Sequence, residues 1–504
     1  MEGRGTNIAI RTDADARIGT GHLMRCLALA HAARSEGDRV LFLSCRAADP
    51  VFRRVGEAGI TVIPMDRPHP DPADLAQTLA TLEAVRADWL VLDGYHFDPE
   101  YQQAIRKAGY RLLMIDDVAH WTEYHANILL NQNINAPQLR YLTDPDTQLL
   151  LGTSYVLLQP EFLPWQGMQR EIPRVAHHLL VTMGGSDPCN LTLKAIEGLR
   201  LLSPRNLEIT CVAGPAYAHC EELRRILAGL PFQTHLLHDV TNMPELMARS
   251  QVAISSGGST NWELAFMGVP SMVLTQADNQ RGLTEELARR GVVANLGWHA
   301  DVEPASIAAA AARLIDSADL RREMAVRARE LVDGMGTDRV LMRLRGERIR
   351  LRSATEADGR LLWEWANDAA IRAVSFSPAP IPWLQHLRWL QERLADPQSV
   401  FCVAVDQDEG PIGQVRCEVN GSEAVISIGL DARSRGMGLG SLVIARAAKR
   451  LFRMSSARII HAYVKTGNDA SLRAFARAGF RMAGTAIIQG HPAVDLTLSC
   501  EEMA

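Results

Sequence analysis

A chain of 504 residues is too long for one ordinary core and, at about 150 residues per domain, asks for about three. Its 47% hydrophobic and 22% charged content is that of a soluble globular protein. The formal net charge of -5 argues against a nucleic-acid-coating or membrane-surface role, since either needs a concentrated basic face. The eight cysteines are scattered, with no CxxC pair and no Cys/His cluster at zinc-finger spacing, and read as reduced thiols buried as small hydrophobes. Met1–Asn7 lacks the apolar stretch of a secretion signal, and no run approaches the ~20 apolar residues of a membrane span, so the cytoplasm is the expected address.

In chain order, Ile8–Ile10, Val40–Leu43, Leu90–Leu92 and Leu112–Ile115 read as strands, each followed by a Gly-containing turn and a helix-period segment. A second series follows at Leu179–Val181, Glu208–Val212, Val252–Ser255 and Ser271–Leu274. Continuous apolar runs alternating with helices indicate parallel sheets covered on both faces. The stretch Gln159–Arg174, with three prolines and two aromatics, reads as the connection between two such sheets. Arg343–Arg352 alternates Arg with apolar residues and reads as a linker entering a new strand. The expected organisation is α/β throughout: a Rossmann-like domain over 1–160, a second facing it over 161–342, and a smaller α/β domain over 343–504.

The strand ending at Asp13 leads through Gly19 and Gly21 into a helix bearing Leu23, Cys26, Leu27 and Ala30 on one face. Such a turn allows close backbone approach, and the helix start offers free N–H groups to an anion. His22 sits at that helix start. The positive end of the helix disfavours an imidazolium, leaving the ring able to take a proton; the same residue could equally cap its own helix. Met183-Gly-Gly-Ser-Asp187 and Ser255-Ser-Gly-Gly-Ser-Thr260 are further glycine turns between a strand and a helix, suited to bringing Gly184, Gly185, Gly258, Ser259 and Thr260 to two phosphates. Glu263, one turn further, can accept from two ribose hydroxyls or simply stabilise the helix start. Asp13, Asp93, Tyr95 and Asn131 stand at strand ends and are candidate sugar or geometry residues, though capping residues collect there too.

The run Arg11-Thr-Asp13 … Ile18-Gly-Thr-Gly-His22-Leu-Met-Arg25-Cys-Leu resembles the opening signature of the UDP-sugar hydrolases of pseudaminic acid biosynthesis. The resemblance continues through Leu92-Asp-Gly-Tyr95-His96, Ile115-Asp-Asp117, Leu130-Asn-Gln-Asn133 and Gly152-Thr-Ser-Tyr155, and covers nearly all of the first 330 residues. It implies two facing Rossmann-like domains in a GT-B-like arrangement. It also implies removal of UDP from a 2,4-diacetamido-2,4,6-trideoxy-altrose, with inversion at the anomeric carbon. His22 would be the base, with Asn279, Tyr95 and Asp13 in the catalytic group; Gly19, Gly21, Gly184, Gly185, Gly258, Ser259, Thr260 and Glu263 would hold UDP. No Asp-x-Asp follows a strand as a clear metal site, so cleavage is expected to be metal-independent.

In the last domain, Val425–Asp431 reads as a strand and Ser441–Phe452 as a helix, joined by Arg433-Ser-Arg-Gly-Met-Gly438-Leu-Gly440. This is a nest of N–H groups at a helix start, suited to a pyrophosphate. Ala457–Lys465 reads as the next strand, followed by Asn468-Asp-Ala-Ser471 and Ala474-Phe-Ala-Arg-Ala-Gly479-Phe480. Together they resemble the GNAT family of N-acetyltransferases. The resemblance implies acetyl-CoA as acetyl donor, held by Leu430, Arg433, Arg435, Gly436, Gly438, Gly440 and Asn468. Trp363, Trp365, Asn367, Trp383, His386 and Trp389 resemble the acceptor-side helices of the pathway's amino-sugar acetyltransferases; helix packing is the alternative reading. Many relatives carry a tyrosine where Phe475 stands, and phenylalanine cannot protonate a leaving thiolate. Tyr463, on the preceding strand, is the candidate to replace that donor, and a water held by Glu418 or His461 is the candidate to deprotonate the amine; the sequence does not choose between the last two.

The two resemblances point to consecutive steps: 4-N-acetylation of a UDP-4-amino-4,6-dideoxy-2-acetamido-altrose, then hydrolysis to UDP and the free diacetamido sugar. The expected partners are small molecules, a UDP-amino sugar and acetyl-CoA, with no nucleic acid, no membrane, and a homo-oligomer left open. A GT-B glycosyltransferase with an accessory acetyltransferase, and a hydrolase with a degenerate regulatory GNAT domain, are the alternatives.

Overall fold

A computed structural model describes residues 6–14, 20–185, 187–215, 217–346 and 349–501. The chain divides into two compact units, Met1–Leu341 and Met342–Ala504.

The first unit carries two parallel sheets. One is built from β1 (Asn7–Thr12), β2 (Arg39–Ser44), β3 (Thr61–Pro64), β4 (Trp89–Asp93), β5 (Arg111–Ile115), β6 (Ile128–Asn131) and β7 (Gln148–Leu151), in the order β3-β2-β1-β4-β5-β6-β7. The other holds β8 (His178–Thr182), β9 (Glu208–Ala213), β10 (Gln233–His238), β11 (Val252–Ser256), β12 (Ser271–Thr275) and β13 (Val293–Trp298), in the order β10-β9-β8-β11-β12-β13. Central strands such as β4 and β11 are buried at every position, as continuous apolar runs require.

In each sheet the strand order reverses once, between β1 and β4 and between β8 and β11. Loops leaving the strands on either side of such a reversal part, and the crevice between them is where ligands bind. The helix Gly21–Ser35 follows β1 and is buried on almost every side, including His22, Leu23, Arg25 and Cys26, as expected of a helix packed in a core rather than on a surface. The helix Gly336–Arg345 closes the unit. A Cβ on Gly336 would meet the Val156 backbone nitrogen at 2.5 Å, and Arg339 donates to the Ser154 carbonyl, so this end of the chain returns to the first sheet. Arg343 and Arg345 therefore belong to a helix and not to the linker expected from their alternation with apolar residues.

The second unit is one seven-stranded sheet of β14 (Ile349–Ser353), β15 (Ser399–Asp406), β16 (Pro411–Asn420), β17 (Glu423–Leu430), β18 (Ile459–Lys465), β19 (Arg481–Ile488) and β20 (His491–Ser499), ordered β14-β15-β16-β17-β18-β20-β19. The helices Leu439–Met454 and Asp469–Arg477 pack on one face through Val443, Ile444, Ala447, Leu451 and Phe475. No described helix is long and apolar enough to cross a membrane.

Candidate functional site

A cavity of about 580 Å³ opens in the first unit, lined by the loops after β1 and β4 from one sheet and after β8 and β11 from the other. It collects His22, Tyr95, Asn279, Gly21, Gly184, Gly185, Gly258, Ser259, Thr260 and Glu263. Gly19 lies outside the described residues.

His22 is the second residue of its helix, and its Nδ1 lies 2.5 Å from Asp93 Oδ1. Asp93, at the end of β4, is fully buried. Burial opposes its ionisation, but the guanidinium of Arg25 and the imidazole of His22 outweigh that and hold its carboxyl well below the usual range. An ionised carboxylate only accepts, so His22 Nδ1 carries a proton and, in the neutral ring, Nε2 keeps its lone pair.

Arg25, one helical turn on, donates through Nε (2.7 Å) and Nη2 (2.7 Å) to Asp93, and through Nη1 to Asp117 at 2.8 Å. Burial opposes ionisation of Asp117 as well, and Arg25 overcomes it. Tyr95 donates to Asp117 Oδ2 at 2.8 Å and accepts from Asn279 Nδ2 at 2.9 Å. Burial and the Asp117 charge push the Tyr95 phenol far up, so it stays protonated. The chain His22–Asp93–Arg25–Asp117–Tyr95–Asn279 thus crosses the cleft. Arg25 and Asp117 were not among the expected site residues, although both stand inside the quoted motifs. Asn133, which donates to Asp117 at 2.9 Å, belongs with them.

Two expected residues are placed elsewhere. Asp13 accepts from Ser44 Oγ (2.7 Å) and the Cys45 backbone (2.8 Å) and pairs with Arg11, holding the end of β2; it is not among the cavity-lining residues. Asn131 is fully buried and braces Tyr141 and the Asn133 backbone.

Helices that begin at the cleft are not equivalent. Those starting at Gly21 and Thr260 have no side-chain cap, leaving their first N–H groups toward the cavity. The helix Leu191–Leu199 is capped by Asp187, whose carboxylate accepts from the Leu191 and Thr192 backbones. Gly184 and Gly185 therefore line the wall beside a helix end already satisfied. At Gly185 a Cβ would meet Thr20 Oγ1 at 2.4 Å, so glycine lets the two domains touch there. Asn261 pins the other glycine turn by donating to the Ser256 and Gly258 carbonyls.

Glu263 is half-buried in the cavity wall. Burial pushes its carboxyl up to about 8, with the like charge of Glu161 adding to the shift and Arg54 opposing it. Hydroxyl donors favour the ionised form, so a ligand that binds through a ribose diol binds more tightly as pH rises toward about 8. Calorimetry should find a ribonucleoside held through its diol bound about tenfold tighter at pH 8.5 than at pH 6.5, with Glu263→Gln removing the difference.

In the second unit, β17 pairs with β18 only from Glu423–Ile459 to Val425–His461, while both strands run on, to Leu430 and Lys465. The sheet therefore splays open beyond that rung, toward the loop that carries Arg433–Gly440. Gly436 (φ 75°) and Gly438 (φ 78°) take left-handed conformations with nothing within 4 Å of a built Cβ, and the helix after Gly438 has no side-chain cap. Arg435 donates to the Leu430 carbonyl and to Asp368, and Trp365 Nε1 donates to Asp431, so the loop is held from the helix Gly359–Ala366 and its end. Arg433 is exposed and paired with Asp431. Gly440 sits in the helix's first turn, where a Cβ would make ordinary 3.6 Å contacts with Ala474 and Leu430. The Asn468 oxygen caps the helix Asp469–Arg477 through the Ser471 backbone, which leaves only its amide nitrogen for a ligand.

Of the expected acceptor-side residues, Trp363 donates to the Ile381 carbonyl, Asn367 exchanges bonds with Ile381, and His386 is buried against the Gly359 carbonyl. Phe475 lies in the core with its ring 5.1 Å from that of Phe480.

Residues 348–481 match the family model of the acetyltransferase (GNAT) domain. An uncharacterized protein of Methanocaldococcus jannaschii is 24% identical over 401 residues, covering 77% of this chain and 78% of its own. The UDP-2,4-diacetamido-2,4,6-trideoxy-beta-L-altropyranose hydrolase of Campylobacter jejuni is 24% identical over 291 residues, 56% of this chain and 97% of that protein. Among solved structures, Acinetobacter baumannii MurG superposes with a TM-score of 0.51 at 17% identity, over 68% of this chain and 99% of its own, which is a likeness of fold.

Proposed function

From a chain that joins a unit related to that altropyranose hydrolase to a GNAT acetyltransferase domain, we propose a bifunctional enzyme of pseudaminic acid synthesis. It acetylates the 4-amino group of a UDP-4-amino-4,6-dideoxy-2-acetamido-altrose and then hydrolyses the product to UDP and the free 2,4-diacetamido-2,4,6-trideoxy sugar. The observation that carries the hydrolytic half is the His22–Asp93 pair at an uncapped helix start in the cleft.

His22 Nε2 takes a proton from water as the oxygen attacks the anomeric carbon. The bond from that carbon to the diphosphate oxygen breaks, and UDP leaves with the electron pair. Backbone N–H groups at Gly21 and Thr260 meet the charge growing on the diphosphate, and Glu263 holds the ribose. Tyr95 and Asn279 fix the sugar between the domains. In the second unit, the left-handed Gly436–Gly438 turn and the uncapped helix start fit the pyrophosphate of acetyl-CoA, and the splay between β17 and β18 fits its pantetheine arm. When bound, acetyl-CoA supplies the activated acyl group.

Incubating the protein with acetyl-CoA and the UDP-4-amino sugar, with no other acceptor, tests this reading by mass spectrometry. CoA, UDP and the free diacetamido sugar are the expected products. An unchanged nucleotide sugar refutes both activities, and UDP release that requires an added acceptor refutes hydrolysis.

A further inference from the structure

The GNAT unit lacks an obvious acid or base: Phe475 has no proton to give, and the three candidates on the sheet were undecided by sequence. Their placement separates them. On β18, Ile460, Ala462 and Val464 face the helix-covered core, so His461 and Tyr463 project from the opposite face. On β17, Ala424 and Ile426 are buried while Val425 is 42% exposed, which places Val425 on that same opposite face, where Phe401, Val403 and Val405 of β15 pack against Leu362 and Leu390. Register then aligns Glu418, Val425, His461 and Thr497 in one row across four strands.

His461 belongs to the last paired rung before the sheet opens. Glu418 lies two strands away, with Arg416 3.2 Å and Arg393 3.8 Å from its Oε1. His461 is held differently. Its Nδ1 lies 3.1 Å from Asp495 Oδ1, a diagonal neighbour on β20, and its side chain is 19% exposed. Of the other charged groups facing it, Glu423 on β17 lies 3.9 Å from Nε2, and on its own strand Tyr463 stacks with it at 6.0 Å between ring centroids.

We infer that His461 is the general base of acetyl transfer, with Asp495 as its positioning residue, acting on an amine presented to the sheet face opposite the helices Leu439–Met454 and Asp469–Arg477, at the mouth of the β17–β18 splay. The inference rests on the acetyltransfer reading above. Asp495 accepts from Nδ1–H, leaving Nε2 to take a proton from the substrate ammonium. The freed amine nitrogen bonds to the thioester carbonyl carbon, the carbon–sulfur bond breaks, and the thiolate departs with its electron pair and takes up, through water, the second proton that the nitrogen releases as it becomes an amide. The proton on the imidazole passes to solvent.

The test uses the full chain, acetyl-CoA and the UDP-4-amino sugar, with CoA release followed from pH 6 to pH 10. For His461→Gln, kcat should fall about 100-fold and the rate should go on rising at alkaline pH, where the amine loses its proton unaided. Asp495→Asn should lower kcat by about tenfold with the KM for acetyl-CoA unchanged. Acetyl-CoA binding by calorimetry, retained in both variants, shows that the unit is folded. If wild type turns over and His461→Gln keeps its rate and pH profile, the base assignment is overturned while the acetyltransfer reading stands. If wild type releases no CoA, both fall.

Discussion

Replacing His22 by Ala should lower the rate of UDP release by about 1,000-fold, within the range that positioned general bases contribute, and leave acetyl transfer untouched. The Nε2 lone pair is the proton acceptor that the cleft sets beside the two uncapped helix starts, and alanine removes it while keeping the helix. KM for the nucleotide sugar should change little, because the diphosphate is met by backbone N–H groups and the ribose by Glu263. A UDP-release assay run beside a CoA-release assay on the same preparation reads both numbers. Loss of CoA release as well would show misfolding, and loss of neither would remove His22 from the mechanism.

Asp93→Asn should do comparable damage by a different route. The carboxylate fixes the tautomer of His22, and an amide at that place can donate to Nδ1 and turn the lone pair away from the cleft. A fall in kcat of about 100-fold or more is expected. The substitution also removes one of two carboxylates from the buried guanidinium of Arg25, so unfolding free energy should drop by about 3 kcal/mol. Denaturant melts together with kcat separate the effects: a stable variant with full activity would mean that Asp93 neither orients His22 nor compensates Arg25.

The strands legible in the sequence are the central ones. β1, β4, β8 and β11 are continuous apolar runs because both of their faces are covered. The strands that went unseen include all four edges of the first unit's two sheets, β3, β7, β10 and β13, whose half-exposed positions allow polar residues: Gln233–His238 carries a glutamine, a threonine and two histidines. In the site, His22 and Tyr95 stood out inside short motifs, and Asn279 through the family resemblance. Arg25 and Asp117 stand in such motifs too, but what marks them is their contact across 92 residues, which only the parallel sheet makes by bringing the ends of β1, β4 and β5 side by side. Asp13 misled for the same reason. A carboxylate at a strand end looks alike whether it turns toward the cleft or, as here, toward Ser44 and Cys45 on the neighbouring strand. The glycine pair at Gly184 and Gly185 resembles a phosphate turn, but Asp187 three and two residues on has already satisfied the helix behind it.

Everything proposed for the first unit depends on water, activated by His22, attacking carbon and not phosphorus. Hydrolysis of the UDP-diacetamido sugar in ¹⁸O-labelled water tests that directly by mass spectrometry. The heavy oxygen should appear in the free sugar and be absent from UDP. Label in UDP would place the attack at the diphosphate and contradict the account.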